Sequence, residues 1–161
     1  MKILQIEPAL APLHLLALAD PSFCRVQSYL NESAVWVGEE EGVIVSIAVV
    51  QRRNEELELL NLAVAENRQG CGFGAEMLAH VLGLAELNDL ARVVVGTGNS
   101  SLRQQAFYQK TGFRISGVVR DFFRDDDPPI FEGGIRCLDM VRLSFEVKKR
   151  NLQTAPAQPK P

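Results

Sequence analysis

The hydrophobic pattern along the chain switches between two periods. Alternating or continuous apolar runs of strand length occur at Lys2–Ile6, in "SAVWVGEE", "GVIVSIAVVQRR", "ELELLNLAVA", "ARVVVG", "FRISGVV" and "CLDMVRLSFEV". They are rich in valine and isoleucine and predict strands. The Gly- and Glu-containing turn between the second and third runs reads as a hairpin, which "ELELLNLAVA" extends into a meander. Helical spacing appears elsewhere. "PALAPLHLLALADP" predicts a helix bounded by Pro8 or Pro12 and Pro21, and "SFCRVQSYL" predicts a second with Ser22 as its cap. Met77, Leu78, Val81, Leu82 and Ala85 mark the apolar face of a third. "NSSLRQQAFYQKTG" predicts a fourth, capped by Asn99 or Ser100 and ended by Gly112.

This order predicts a mixed α+β domain around one sheet, mostly antiparallel, with about six or seven strands and about four helices. The helix between "ELELLNLAVA" and "ARVVVG" makes one parallel βαβ unit. The long acidic segment "RDFFRDDDPPIFEGGI" joins the last two strands. A single domain is expected over residues 1–148. The tail over 149–161, "NLQTAPAQPKP" at its end, has no period and little to bury, so disorder is expected there.

Composition narrows the class without choosing a chemistry. The chain has 161 residues, 47% of them hydrophobic, and no uninterrupted apolar run of about 18 residues, which fits a soluble globular protein and gives no membrane partner. A signal-peptide core is missing from "MKILQIEPAL", so a cytoplasmic location is expected. Cys24, Cys71 and Cys137 are odd in number and far apart, which suits reduced thiols better than disulfides or a metal site. A net charge of −3 argues against nucleic acid as a partner.

The chemistry concentrates in "VAENRQGCGFGAEML", where Gly70, Gly72 and Gly74 precede a predicted helix. Glycines there leave a row of backbone N–H groups open to an anion at the positive end of the helix. Gly70, Gly72 and Ala75 satisfy the dinucleotide pattern G-x-G-x-x-G/A, but no acidic residue follows the next strand to hold a ribose. A P-loop fails because no Gly-Lys-Ser/Thr follows.

Counted from Gln69, the same stretch reads Gln69-x-x-Gly72-x-Gly74, after a strand ending "NLAV". It resembles the acetyl-CoA-binding motif of the GCN5-related N-acetyltransferases, Q/R-x-x-G-x-G/A. "NSSLRQQAFYQKTGF" is similar to that family's later motif, with an asparagine, a Phe-Tyr pair and a closing Gly-Phe. The resemblance runs from about Ala34 to Phe145, and the "DFF...PPIFEGGI...DM" ending is like that of uncharacterised bacterial members.

The resemblance implies the GNAT fold and transfer of an acetyl group from acetyl-CoA to a primary amine of a small molecule or peptide, by direct attack and without a metal. It implies a pyrophosphate clamp at Gln69, Gly70, Cys71, Gly72, Phe73, Gly74 and Ala75, and backbone pairing of the pantetheine arm with Leu62, Ala63 and Val64. Asn99 is implied as a cofactor hydrogen-bonding position. Tyr108 corresponds to the acid that protonates the sulfur and Glu58 to a general base, with a water chain as the alternative. Many family members pair, so the resemblance implies a homodimer. Cys71 is read as an incidental thiol, and His14 and His80 as structural.

The acidic residues Asp121, Asp125, Asp126, Asp127 and Glu132 either help wall a pocket for a cationic amine or form a solvated loop. Two other classes stand beside the enzyme: a non-catalytic acyl-CoA-binding regulatory module, and an RNA-modifying toxin of the same fold. The latter needs a basic surface that the sequence lacks.

Overall fold

Alternation over residues 34–64 folds into three antiparallel strands at the middle of the molecule. The computed structural model describes residues 1–126 and 128–148, so the tail expected to be disordered lies outside the described residues, as does Asp127. In chain order the elements are β1 (Lys2–Ile6), a 3-10 turn (Pro8–Leu10), α1 (Leu13–Ala19), α2 (Phe23–Leu30), β2 (Ala34–Glu40), β3 (Val43–Arg53) and β4 (Glu56–Val64). A second 3-10 turn (Glu66–Arg68) leads to α3 (Phe73–Leu87), β5 (Arg92–Gly98), α4 (Leu102–Lys110), β6 (Arg114–Val119), β7 (Phe131–Glu132), β8 (Ile135–Arg136) and β9 (Met140–Glu146).

Seven strands form one sheet in the order β1-β2-β3-β4-β5-β9-β6. Every neighbouring pair is antiparallel except β4 with β5, the strands of the predicted βαβ unit. The last strand of the chain inserts between β5 and β6, which leaves β6 at the edge. β7 and β8 pair only with each other. At two residues each they are too short for alternation to mark them in the sequence.

Prolines divide the first predicted helix. Pro8 starts the 3-10 turn and Pro12 is the N-cap of α1, since a proline nitrogen has no hydrogen to give a preceding turn. Ser22 caps α2 as expected, its hydroxyl accepting from the Arg25 N–H at 3.4 Å.

The sheet carries a core on each face. On one, Leu15 and Leu16 of α1 and Val26, Tyr29 and Leu30 of α2 cover Val35, Val37, Ile47, Val49 and Ala63. On the other, Met77, Leu78, Val81 and Ala85 of α3 and Tyr108 of α4 cover Ala48, Val50, Leu57, Leu59, Val93 and Val95. Each fully buried Leu or Val stabilises the fold by about 1.5–3 kcal/mol.

One irregularity in β4 shapes everything near it. Val49 of β3 lies opposite Asn61 but Val50 lies opposite Leu59, so Leu60 is an extra residue without a partner. A bulge bends its strand and shifts the parity of the side chains that follow. Accordingly, Leu57 and Leu59 face α3, whereas Asn61 and Ala63 face α1 and α2. The parallel pairing of β4 with β5 stops at Leu59 and Val95, although the strands run on to Val64 and Gly98. Past the bulge they part and form a wedge.

Candidate active site

Along the wedge, among the described residues, no strand pairs with the β4 edge from Leu60 to Val64 on its β5 side, while β3 holds the other side as far as Val64. An amide-bearing chain can pair with such an open edge as an added strand would. Leu62, Ala63 and Val64, the residues implied for the pantetheine arm, lie on it.

Beyond Val64 the chain makes its 3-10 turn and enters the glycine loop. Gly70 and Gly72 take φ of +79° and +91°, the left-handed region that other residues enter at a cost. Gly72 is the N-cap of α3, and no side chain caps that end. Among the described residues, no group accepts from the backbone N–H of Gly70, Cys71, Gly72, Phe73, Gly74 or Ala75. A Cβ placed on Gly72 would meet nothing within 4 Å, so the space in front of these donors is open. Free N–H groups at the positive end of a fifteen-residue helix fit a pyrophosphate.

Gln69 departs from this role. Its N–H bonds to the Glu66 carbonyl at 3.3 Å and its side-chain amide donates to the Val64 carbonyl at 3.1 Å, so it ties the loop to the end of β4. The Phe73 ring is buried, which leaves only its N–H for an anion. Cys71 is exposed, its thiol 3.9 Å from the Gln69 carbonyl.

Tyr108 and Glu58 lie on opposite faces of the sheet. Tyr108 is 7% exposed, belongs to the same buried cluster as Leu59 and Val95, and is braced by the rings of Phe107 and Phe113, with centroids at 5.2 and 5.5 Å. Burial pushes its phenol well above the ordinary tyrosine range, so the hydroxyl stays protonated at neutral pH. Glu58 alternates with Leu57 and Leu59 and so points to the α1 and α2 face. Arg53 Nε lies 2.7 Å from its Oε2 and Arg142 Nη2 3.9 Å from its Oε1. The longer distance is an ion pair without a hydrogen bond, which leaves Oε1 lone pairs open.

Asn99, the implied cofactor hydrogen-bonding position, also ties two parts of the chain together. Its Oδ1 accepts from the backbone N–H groups of Leu138 and Asp139 at 2.8 and 3.0 Å, and its Nδ2 donates to the Arg136 carbonyl at 3.0 Å. The amide fastens the start of β9 to the end of β5 and, among the described residues, keeps one Nδ2 hydrogen free. Neither Asn99 nor Ser100 caps α4: Ser101 occupies the N-cap. The hydroxyls of Ser100 and Ser101 both donate to Oε2 of Glu132, at 2.7 and 2.6 Å. Gly98 is needed beside them, because a Cβ there would stand 2.6 Å from the Cys137 sulfur.

The acidic connection between β6 and β9 is therefore a fitted strap. Arg25 of α2 grips Asp20 through Nε at 2.9 Å and Nη2 at 2.8 Å, and Asp126 through Nη1 at 2.9 Å and Nη2 at 3.2 Å. Its guanidinium also lies 5.1 Å from the Phe123 ring centroid. Side-chain exposures of 21%, 13% and 15% mark a largely desolvated triad. Arg25→Ala strands two carboxylates, and the expected cost is about 2 kcal/mol, a fall in Tm of roughly 4–8 °C. Circular-dichroism melts check the value, and faster proteolysis within the strap accompanies it. An unchanged melt would dispose of the tether.

His80 packs tilted against Trp36 with ring centroids 4.4 Å apart, and burial lowers its pKa, so it packs as a neutral ring. His14 is exposed. Among the described residues no group of three or more His, Cys, Asp or Glu is placed to hold a metal, and no helix is long and apolar enough to cross a membrane. A surface hollow of about 760 Å³ lined by Gln5, Pro8, Leu10, Asn31 and Ser33 lies at the β1 end of the sheet, away from the wedge.

Known proteins resemble the chain in sequence and in fold. The acetyltransferase (GNAT) domain profile matches residues 31–115. An uncharacterised N-acetyltransferase of Bacillus subtilis, YvbK, is 41% identical over 138 residues, 83% of this chain and 87% of that protein. A GNAT family acetyltransferase from Elizabethkingia anophelis, solved with acetyl-CoA bound, superposes with a TM-score of 0.85 at 37% identity, covering 90% of this chain and 97% of that one. A Bacillus subtilis acetyltransferase in complex with CoA gives a TM-score of 0.83 at 36% identity, covering 91% and 99%.

Proposed function

The chain belongs to the GNAT acetyltransferase family, and from that premise we propose that it moves the acetyl group of acetyl-CoA onto a primary amine of a small molecule or peptide, by direct attack in a ternary complex. The observation that carries this reading is the wedge. An open β4 edge leads from the free N–H groups of the glycine loop to the point where Leu59 and Val95 part, with Tyr108 on one face and Glu58 on the other.

Acetyl-CoA supplies an acetyl thioester. The loop from Gly70 to Ala75 holds its pyrophosphate and the edge at Leu62, Ala63 and Val64 orients its arm, so that binding energy far from the reacting carbon fixes its position. The amine nitrogen bonds to the acetyl carbon, the carbon–sulfur bond breaks with its electron pair going to sulfur, and the nitrogen gives up one proton as the sulfur gains one. Tyr108 donates toward the sulfur. Glu58 Oε1 is the candidate to take the proton from nitrogen on the other face. No serine or cysteine nucleophile is needed, and Cys137 is buried with its thiol pKa raised by desolvation.

Release of CoA thiol, followed with a thiol reagent over a library of primary amines, tests the proposal. Amine-dependent release is the expected result. Tight acetyl-CoA binding with no release for any amine would turn the reading toward an acyl-CoA-binding module.

A further inference from the structure

We propose that Asn61 receives the acceptor amine, its side-chain oxygen taking an N–H of the incoming nitrogen on the α1 and α2 side of the wedge. The inference rests on the acetyl-transfer reading above and adds to it the residue that meets the nucleophile. Asn61 is the second residue past the last β4–β5 pair, and the bulge at Leu60 turns its side chain to the face opposite Tyr108. It is 3% exposed. Its Nδ2 donates to the Leu16 carbonyl and to the Tyr29 hydroxyl, each at 3.1 Å. A backbone carbonyl only accepts, so the NH₂ group has to face Leu16, and this fixes which way the oxygen points. That oxygen is buried and has no partner among the described residues.

An unpartnered buried carbonyl oxygen is costly, so a residue serving only to tie β4 to α1 would be expected to satisfy both ends of its amide. Here one end is held by α1 and α2 while the other is buried without a partner among the described residues, on a residue just past the point where β4 and β5 part. A primary amine suits it. One N–H can bond to Oδ1 while the lone pair points at the acetyl carbon, and the bond strengthens as the nitrogen becomes positive during attack. Chemistry at this site also separates amines from alcohols. A hydroxyl loses its only hydrogen on acetylation, whereas the amide formed from a primary amine keeps an N–H, so Oδ1 stays partnered through to product.

Burial pushes the Tyr29 phenol up to about 12, so its oxygen stays neutral and keeps accepting from Asn61 across the working pH range. Leu16 and Tyr29 therefore position Asn61, and Asn61 positions the amine.

The test compares wild type, Asn61→Ala and Tyr29→Phe by thiol release over a panel of alkylamines, diamines and peptides with free N-termini, with thermal melts in parallel. Asn61→Ala is expected to raise the KM of a productive amine about tenfold and to leave the acetyl-CoA KM within about twofold. Tyr29→Phe keeps the oxygen but removes one of its two tethers, and is expected to raise the amine KM about threefold. Should Asn61→Ala fail to fold, Tyr29→Phe decides the question alone. If wild type turns over an amine and folded variants keep its KM, Asn61 is only a structural tie, and acetyl transfer stands without it. If no amine releases thiol from wild type, the acetyl-transfer reading falls and this inference falls with it.

Discussion

Tyr108→Phe is expected to lower kcat by about 100-fold while acetyl-CoA binds as it does to wild type, because general-acid groups contribute on the order of 10²–10⁴ and only the hydroxyl is removed. The ring keeps its contacts with Phe107 and Phe113, and among the described residues no group bonds to the hydroxyl, so the deletion leaves nothing orphaned. Stability is therefore expected to hold. The effect is large because the hydroxyl acts in a desolvated cluster, where a donor aimed at developing charge on sulfur is worth more than in water. Single-turnover thiol release and calorimetric titration of acetyl-CoA separate the two quantities. A variant with wild-type kcat would remove Tyr108 from the mechanism.

The direction of the Tyr108 shift adds a pH signature. A donor must be protonated, and a phenol raised above its ordinary value of about 10 loses its proton only above that pH. The Tyr108-dependent part of kcat is thus expected to stay level from neutral pH to the ordinary phenol range.

The donor half of the site was legible because its signals are local. Glycines before an amphipathic helix report a cradle through neighbouring residues alone, and the alternation of "ELELLNLAVA" reports the strand beside it. The wedge was legible only by resemblance. Its cause, the extra residue Leu60, appears in the sequence only as two adjacent leucines, Leu59 and Leu60, and the bulge emerges only from pairing with β3. Asn61 offered one faint signal that was missed, a polar residue inside an apolar strand. Asp126 and Glu132 stand out as part of an acidic run, but their partners do not, since the Arg25–Asp126 contact joins residues 101 positions apart. Asn99 shows a different limit. A motif position predicts where a residue stands, but the strap that claims its amide comes from a later part of the chain.

Gly72→Val is expected to weaken acetyl-CoA binding about 10- to 30-fold, with Cys71→Val as its control. The φ of +91° at Gly72 costs a residue with a Cβ roughly 1–2 kcal/mol, and a β-branched one is the least tolerant of it. Space is not the obstacle, because a Cβ there meets nothing within 4 Å. Strain is instead relieved by rotation of the backbone out of the left-handed region, which turns the N–H groups of Gly72 and Phe73 away from the open space in front of α3. Since these two stand in the middle of the row of free donors, the loss falls on the anion directly and the apolar core is spared. Cys71 has no positive φ, and its exposed side chain lies in the same loop, so Cys71→Val is expected to hold the Kd within about threefold. Titration of CoA into both variants, with melts to show that each is folded, distinguishes backbone geometry from loop bulk. Equal affinity of Gly72→Val and wild type would mean that the pyrophosphate does not sit on these N–H groups.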